Sequence, residues 1–125
     1  MIEFSVEGQP VPQGSMKVIH GRVLHSQGSA LINWRNAIGY AAREAGARKL
    51  TTAVTIDLVF LMPRPKTVKR SFPAVAPDLD KLIRAVLDAL TGIAYDDDGQ
   101  VVSIHAHKIY GERTGLLVRI DEKNN

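Results

Sequence analysis

Three features of this chain predict an α+β domain, a mixed β-sheet with two helices packed on it. Two segments repeat apolar residues at helical spacing, several shorter ones alternate apolar and polar residues, and the two kinds follow no regular β–α alternation. The order reads strand, hairpin, helix, strand, helix, strand, strand. With 125 residues, 45% hydrophobic and 23% charged, the chain holds the material of one globular core. A single domain over residues 1–125 is expected, with no internal repeat.

The opening "IEFSVEG" alternates, with Ile2, Phe4 and Val6 on one face. "QPVPQG" stops it, because two prolines remove backbone donors. "KVIHGRVLH" reads as a short hairpin turning near His20-Gly21. Ser29 is placed to cap a helix running to about Arg48, with Leu31, Trp34, Ile38, Ala41, Ala42 and Ala45 as its buried stripe.

"AVTIDLVFLM" is the clearest strand, turning Val54, Ile56, Leu58 and Phe60 one way and Thr55, Asp57 and Val59 the other. Residues 62–76 hold three prolines and are expected to form a basic, mobile loop. A second helix starts near Asp78, with Leu79, Leu82, Ile83, Val86, Leu87 and Leu90 on one face and Gly92 at its C-cap. Leu82, Val86 and Leu90 suit either a core or a dimer seam. "QVVSIHAHKIY" and "GLLVRID" read as final strands joined by a turn around residues 111–115, and residues 122–125 as a frayed tail. His105 and His107 share a strand face with no third ligand nearby, which fits a surface or interface role.

Composition removes several classes of function. The absence of cysteine excludes disulfides and thiolate metal sites. The start carries no signal-peptide pattern, and no apolar run approaches the roughly 18 residues of a membrane span. A cytoplasmic, soluble protein is expected, with no membrane partner. The net charge of +3 is modest, but its distribution is uneven. Arg64 to Arg70, "RPKTVKR", carries four cations and no anion, while five of the thirteen acids fall at Asp78, Asp80, Asp96, Asp97 and Asp98. A basic stretch beside an acidic cluster suits a polyanion held near bound cations; a solvated loop explains the stretch equally well.

Each acidic group has a structural explanation. Asp78 after Pro77 is a good N-cap, Asp80 in the first turn favours the helix dipole and reaches Arg84 at i+4, and Asp-Gly before a strand is a turn signal. Asp78 and Asp80 also converge beyond the helix end as a hard-oxygen site, suited to Mg²⁺ or Mn²⁺ instead of zinc. Asp98, at the head of the next strand, is placed to complete a three-carboxylate set. The consecutive aspartates do not follow the alternating pattern of an EF-hand loop.

From Pro77 to Tyr110, "PDLDKLIRAVLDALTGIAYDDDGQVVSIHAHKIY" resembles the signature of the RusA family of phage-type Holliday-junction endonucleases. There a D-L-D-N-L-x-K-x-x-x-D-A-L helix is followed by a short connection and a D-D-x-Q-[VI]-V strand. "VEGQPVPQGSMK" is similar to the first strand and following loop of such proteins. The resemblance implies a RusA-like fold and a homodimeric endodeoxyribonuclease. Its cofactor is Mg²⁺, with Mn²⁺ as a substitute, and no organic cofactor is implied. It would resolve branched DNA, the four-way junction, by paired symmetric nicks in recombination and repair, in a host cytoplasm if phage-encoded. The metal-binding acids would be Asp78, Asp80 and Asp98, supported by Asp97. The family Asn is Lys81 here and the family's catalytic lysine is Arg84; either would contact the scissile phosphate. Arg64, Lys66, Lys69 and Arg70 are the expected DNA-binding cations, with Lys17, Arg22 and Lys108 as lesser ones. Arginine cannot give up a proton at working pH. Two rival readings follow: a junction-binding protein that cleaves weakly or not at all, and a nuclease for flaps and other branched DNA.

Overall fold

The computed structural model describes residues 1–14, 16–19, 22–25 and 28–123; for the strands at 16–19 and 22–25 the backbone alone is described. The chain forms β1 (Ile2–Glu7), β2 (Met16–Ile19), β3 (Arg22–His25), α1 (Gly28–Glu44), β4 (Ala53–Met62), α2 (Leu79–Leu90), β5 (Val101–Tyr110) and β6 (Gly115–Lys123). A 3₁₀ turn at Asp98–Gln100 leads into β5. The expected α+β class is observed, with four strands in the order β1-β6-β4-β5 and the β2–β3 hairpin apart from them.

β4 is the centre of the sheet because its even side is wholly apolar. Val54, Ile56, Leu58 and Phe60 are sealed from solvent, and each belongs to the face that α1 and α2 cover. β6 runs antiparallel beside it and adds Leu116, Val118 and Ile120 to the same face. Burying a large aliphatic side chain this way contributes roughly 1.5–3 kcal/mol each. β5 pairs with β4 in parallel, which makes the sheet mixed and leaves β5 on the edge. The final strands are therefore joined by a turn but are not neighbours. Residues 111–114 carry the chain across β4, and the Gly111 N–H donates to the Met62 carbonyl at 3.1 Å on the way.

α2 bears out the apolar spacing and extends it. Leu82, Val86 and Leu90 are core residues, joined by Ala85 and Ala89, while Leu79, Ile83 and Leu87 form a half-buried row. Thr91 is the C-cap, and Gly92 follows at φ +86° in the left-handed region that terminates a helix without a Cβ penalty. α1 starts one residue before Ser29 and ends at Glu44, short of Arg48, because Gly46 turns the chain at φ +90°. Ala45 is consequently outside the helix and exposed, whereas Leu31, Trp34, Ile38 and Ala42 form the stripe as expected. β6 continues through Lys123, so Glu122 and Lys123 are strand and not tail. The expected turn at His20-Gly21 and the side chain of Lys17 lie outside the described residues. No helix among the described residues is long and apolar enough to cross a membrane.

Candidate active site

Two elements present the acids, and they meet α2 at opposite ends. At its N-terminus Asp78 has the extended backbone of an N-cap, φ −69° and ψ 140°, yet its carboxylate makes no capping hydrogen bond. It points instead to Lys81, whose Nζ lies 3.3 Å from Asp78 Oδ2. The i+4 pairing of Asp80 with Arg84 is replaced by this i+3 pair. Asp80 and Arg84 are both exposed on the first turns of the helix.

A buried-side lysine fixes this end. Lys108, on the helix-facing side of β5, donates from Nζ to the carbonyl oxygens of Val75 and Pro77 at 2.7 and 2.8 Å. It orients the loop immediately before Asp78 and is not a loose surface cation. Gln13 steadies the helix from the other flank. Its backbone N–H donates to the Lys81 carbonyl at 3.0 Å, and its amide to the carboxylate of Asp88.

The second acidic element is built around Gln100. Its amide nitrogen donates to the carbonyls of Leu50 and Thr52 at 2.8 and 2.9 Å, and its amide oxygen accepts from the N–H groups of Asp96 and Asp97 at 2.9 and 3.0 Å. Asp97 caps the 3₁₀ turn by accepting from Gly99 N–H at 3.1 Å. With the turn so fixed, Asp98 is left exposed on the surface. A hydrogen bond to Asp97's carboxyl, then slight desolvation and the negative charges of Asp97 and Asp88, raise the Asp98 carboxyl above its ordinary pKa. Tyr95, buried beneath, donates to the Leu87 carbonyl at 2.8 Å, and burial pushes its phenol well up.

The structure thus brings Asp97 and Asp98 near Asp88, and pairs Asp78 with Lys81. It does not bring the two groups together. At about 1.5 Å per residue, Asp80 and Asp88 are roughly 12 Å apart along the helix. β5 runs the opposite way, with Val101 at the Asp98 end and Lys108 at the Pro77 end, roughly 23 Å apart at 3.3 Å per residue. Among the described residues no three His, Asp or Glu side chains are grouped to hold a metal ion.

Carboxylate oxygens are the right donors for a hard divalent ion, and the Lys81 ammonium already stands beside Asp78 where positive charge is favoured. Among the described residues no third carboxylate is grouped with Asp78 and Asp80.

The basic loop is anchored at Tyr110. Arg70 Nε donates to the Tyr110 hydroxyl at 2.9 Å, the Arg64 guanidinium stacks 5.5 Å from the ring centre, and Arg64 also donates to the Arg70 carbonyl at 3.2 Å. Lys66 and Lys69 remain exposed between them. His105 and His107 are exposed as expected, and His105 Nδ1 lies 3.2 Å from Asp57 Oδ1 across the open face of the sheet. Gln13 and Gln100 are positioning residues that sequence reasoning missed, and Lys108, expected as a lesser DNA-binding cation, is a third. The Q of the D-D-x-Q pattern was the one signal available.

A Bacillus subtilis (strain 168) protein described as "Uncharacterized protein YqaN" is 29% identical over 136 aligned positions, spanning 97% of this chain and 96% of that protein. The family model described as "Endodeoxyribonuclease RusA" matches residues 7–121, nearly the whole length and both acidic elements, and the chain belongs to the RusA family of endodeoxyribonucleases.

Proposed function

We propose that the protein is a divalent-metal-dependent endodeoxyribonuclease that resolves four-way DNA junctions by paired symmetric nicks. Asp78, Asp80 and Asp98 are its metal-binding acids and Asp97 supports Asp98. The observation that carries this reading is the state of Asp78. A residue in N-cap position whose carboxylate caps nothing, held at a helix end by the Lys108 clamp, has been placed for something other than helix stability. When bound, Mg²⁺ supplies Lewis acidity and an activated water for phosphodiester hydrolysis.

The chain's own residues do the rest. Arg84 is one turn beyond Asp80 and permanently charged, so it contacts a phosphate oxygen and stabilises developing negative charge without acting as a proton donor. Lys81 is ion-paired to Asp78 and is the nearer candidate for a proton-bearing group. Lys66 and Lys69 lie on the anchored loop and grip phosphates flanking the cut. The replacement of the family lysine by Arg84 supports the second reading, a junction binder with weak cleavage. Incubating the protein with a mobile four-way junction, a flap and a plain duplex, each with and without Mg²⁺, separates these. Metal-dependent paired nicking of the junction is expected. Tight junction binding without nicking selects the second reading, and preferential flap cleavage overturns the substrate assignment.

A further inference from the structure

α1 carries a second cationic surface that the proposed mechanism does not use. A groove of about 500 Å³ runs between α1 and the C-terminal end of α2. Arg35, Asn36, Tyr40 and Arg43 line it from α1, and Asp88 and Ile93 face them from the other side. Gly39 shapes the floor. A Cβ there would stand 2.9 Å from Ile93 Cδ1, so any side chain would push into Ile93 and narrow the groove. The cations along its rim are unspent: among the described residues neither Arg35 nor Arg43 forms an ion pair. Asp88, the acid that faces them, is engaged instead by the amide of buried Gln13. Asn36 and Tyr40 are both exposed, so an amide and a hydroxyl are offered beside the two guanidinium groups.

We propose that this groove binds the sugar–phosphate backbone of a second duplex arm of the junction, with Arg35 and Arg43 on its phosphates and Asn36 and Tyr40 bonding to the same strand between them. This rests on the junction reading above. Eight helical residues separate the two arginines, roughly 12 Å at 1.5 Å per residue. A DNA strand advances about 3.4 Å along its axis per phosphate, so the pair spans roughly three to four steps. Arginine is suited to the contact because its planar fork binds phosphate in two-point fashion and keeps its charge at every working pH. Contacts of this kind position a duplex without reading its sequence.

Its place in the fold assigns the groove to an arm other than the one Lys66 and Lys69 grip. Those lysines stand on the loop that leads into the N-terminus of α2, whereas the groove opens at the C-terminal end, where Asp88 is felt electrostatically at Asp98. The twelve residues of α2 set the two ends roughly 18 Å apart, with acids at each. A linear duplex passing the acids engages one set of cations. Arms that leave a branch point in different directions engage both. The occupant is DNA and not an acidic protein segment, because the groove opens beside the acids that the proposed function assigns to DNA cleavage.

Binding without Mg²⁺ tests the assignment, since it reads the groove apart from cleavage. The probes are a mobile four-way junction and a plain duplex of the same arm length. Arg35→Gln with Arg43→Gln is expected to lower junction affinity about tenfold and to reduce the slope of log affinity against log salt by about 2. Duplex affinity should change less than about twofold. Arg35→Lys with Arg43→Lys is expected to recover most of the loss, because the charges remain. Arg35 is half-buried, so a second variant guards against misfolding: Asn36→Glu sets a negative charge in the groove from an exposed position and should lower junction affinity about fivefold. If the wild type prefers the junction and these variants bind it equally well with an unchanged slope, the groove is overturned while the nuclease reading stands. Equal losses on junction and duplex place the groove on the cut arm and overturn the second-arm assignment. A wild type with no preference for the junction overturns the junction reading itself, and the second arm with it.

Discussion

The two ends of α2 carry acids in opposite ways. The Asp96–Asp98 turn is held from within, by one amide that uses all of its hydrogen-bonding capacity on four backbone groups. The Asp78–Asp80 end is held from outside, by Lys108 reaching from the neighbouring strand to two carbonyls upstream. In both cases the backbone is fixed and the key carboxylate is left with little structural work. The difference lies in what a substitution would loosen. At the turn, Gln100 stabilises the fold and the acid together; at the helix start, the clamp governs placement more than stability.

Removing the acids themselves should separate function from fold most sharply. Asp80→Asn and Asp98→Asn are each expected to lower junction cleavage about 100-fold or more, by analogy with the loss of a single charge-stabilising group in other active sites. Both carboxylates are exposed, so thermal midpoints should stay within a few degrees of wild type. A large fall in midpoint with Asp98→Asn would make it a structural residue. Gln100→Ala comes next. It strips partners from four backbone groups, with an expected cost of about 2–4 kcal/mol in urea unfolding. Retained stability would mean the turn is not held as described.

Lys108→Met keeps the apolar stem and removes the donors. We expect a loss of only about 1–2 kcal/mol but a cleavage defect of about tenfold or more, through misplaced Asp78 and Asp80. Equal losses in stability and activity would erase the contrast between the two ends. Lys66→Ala with Lys69→Ala should weaken junction binding and reduce the slope of log affinity against log salt by about 2, one phosphate contact each. An unchanged slope moves the contact elsewhere. The smallest effect is expected from Arg84→Lys, less than about fivefold in rate, because a charge contact survives the exchange. A large gain would show that a lysine proton limits the reaction.

Much of the fold was legible because its determinants are local. The spacing of Leu82, Val86 and Leu90, and the alternation of Val54 to Phe60, depend only on the period of each element. The end of α1 was misplaced where helical residues continue past a turn that Gly46 imposes. Strand order was not legible, since the insertion of β6 between β1 and β4 is set by pairing across the whole chain. The site divides the same way. Asp78, Asp80 and Asp98 stand out by residue type and spacing, and the family pattern reinforces them. Their separation could not be read, because nothing in the sequence states that α2 and β5 run in opposite directions. Gln100 and Lys108 were hidden for the same reason: their partners at Leu50, Thr52, Val75 and Pro77 lie 31 to 50 residues away.

The loop between β4 and α2 is fastened to β5 at two points, through Arg64 and Arg70 on Tyr110 and through the carbonyls of Val75 and Pro77 on Lys108. It is a saddle strapped to the rim of the sheet and not a free flap. On the proposed function, a duplex arm pressing on Lys66 and Lys69 would load the same strand that seats the acidic helix end, and substrate grip and alignment of the acids would be one mechanical event.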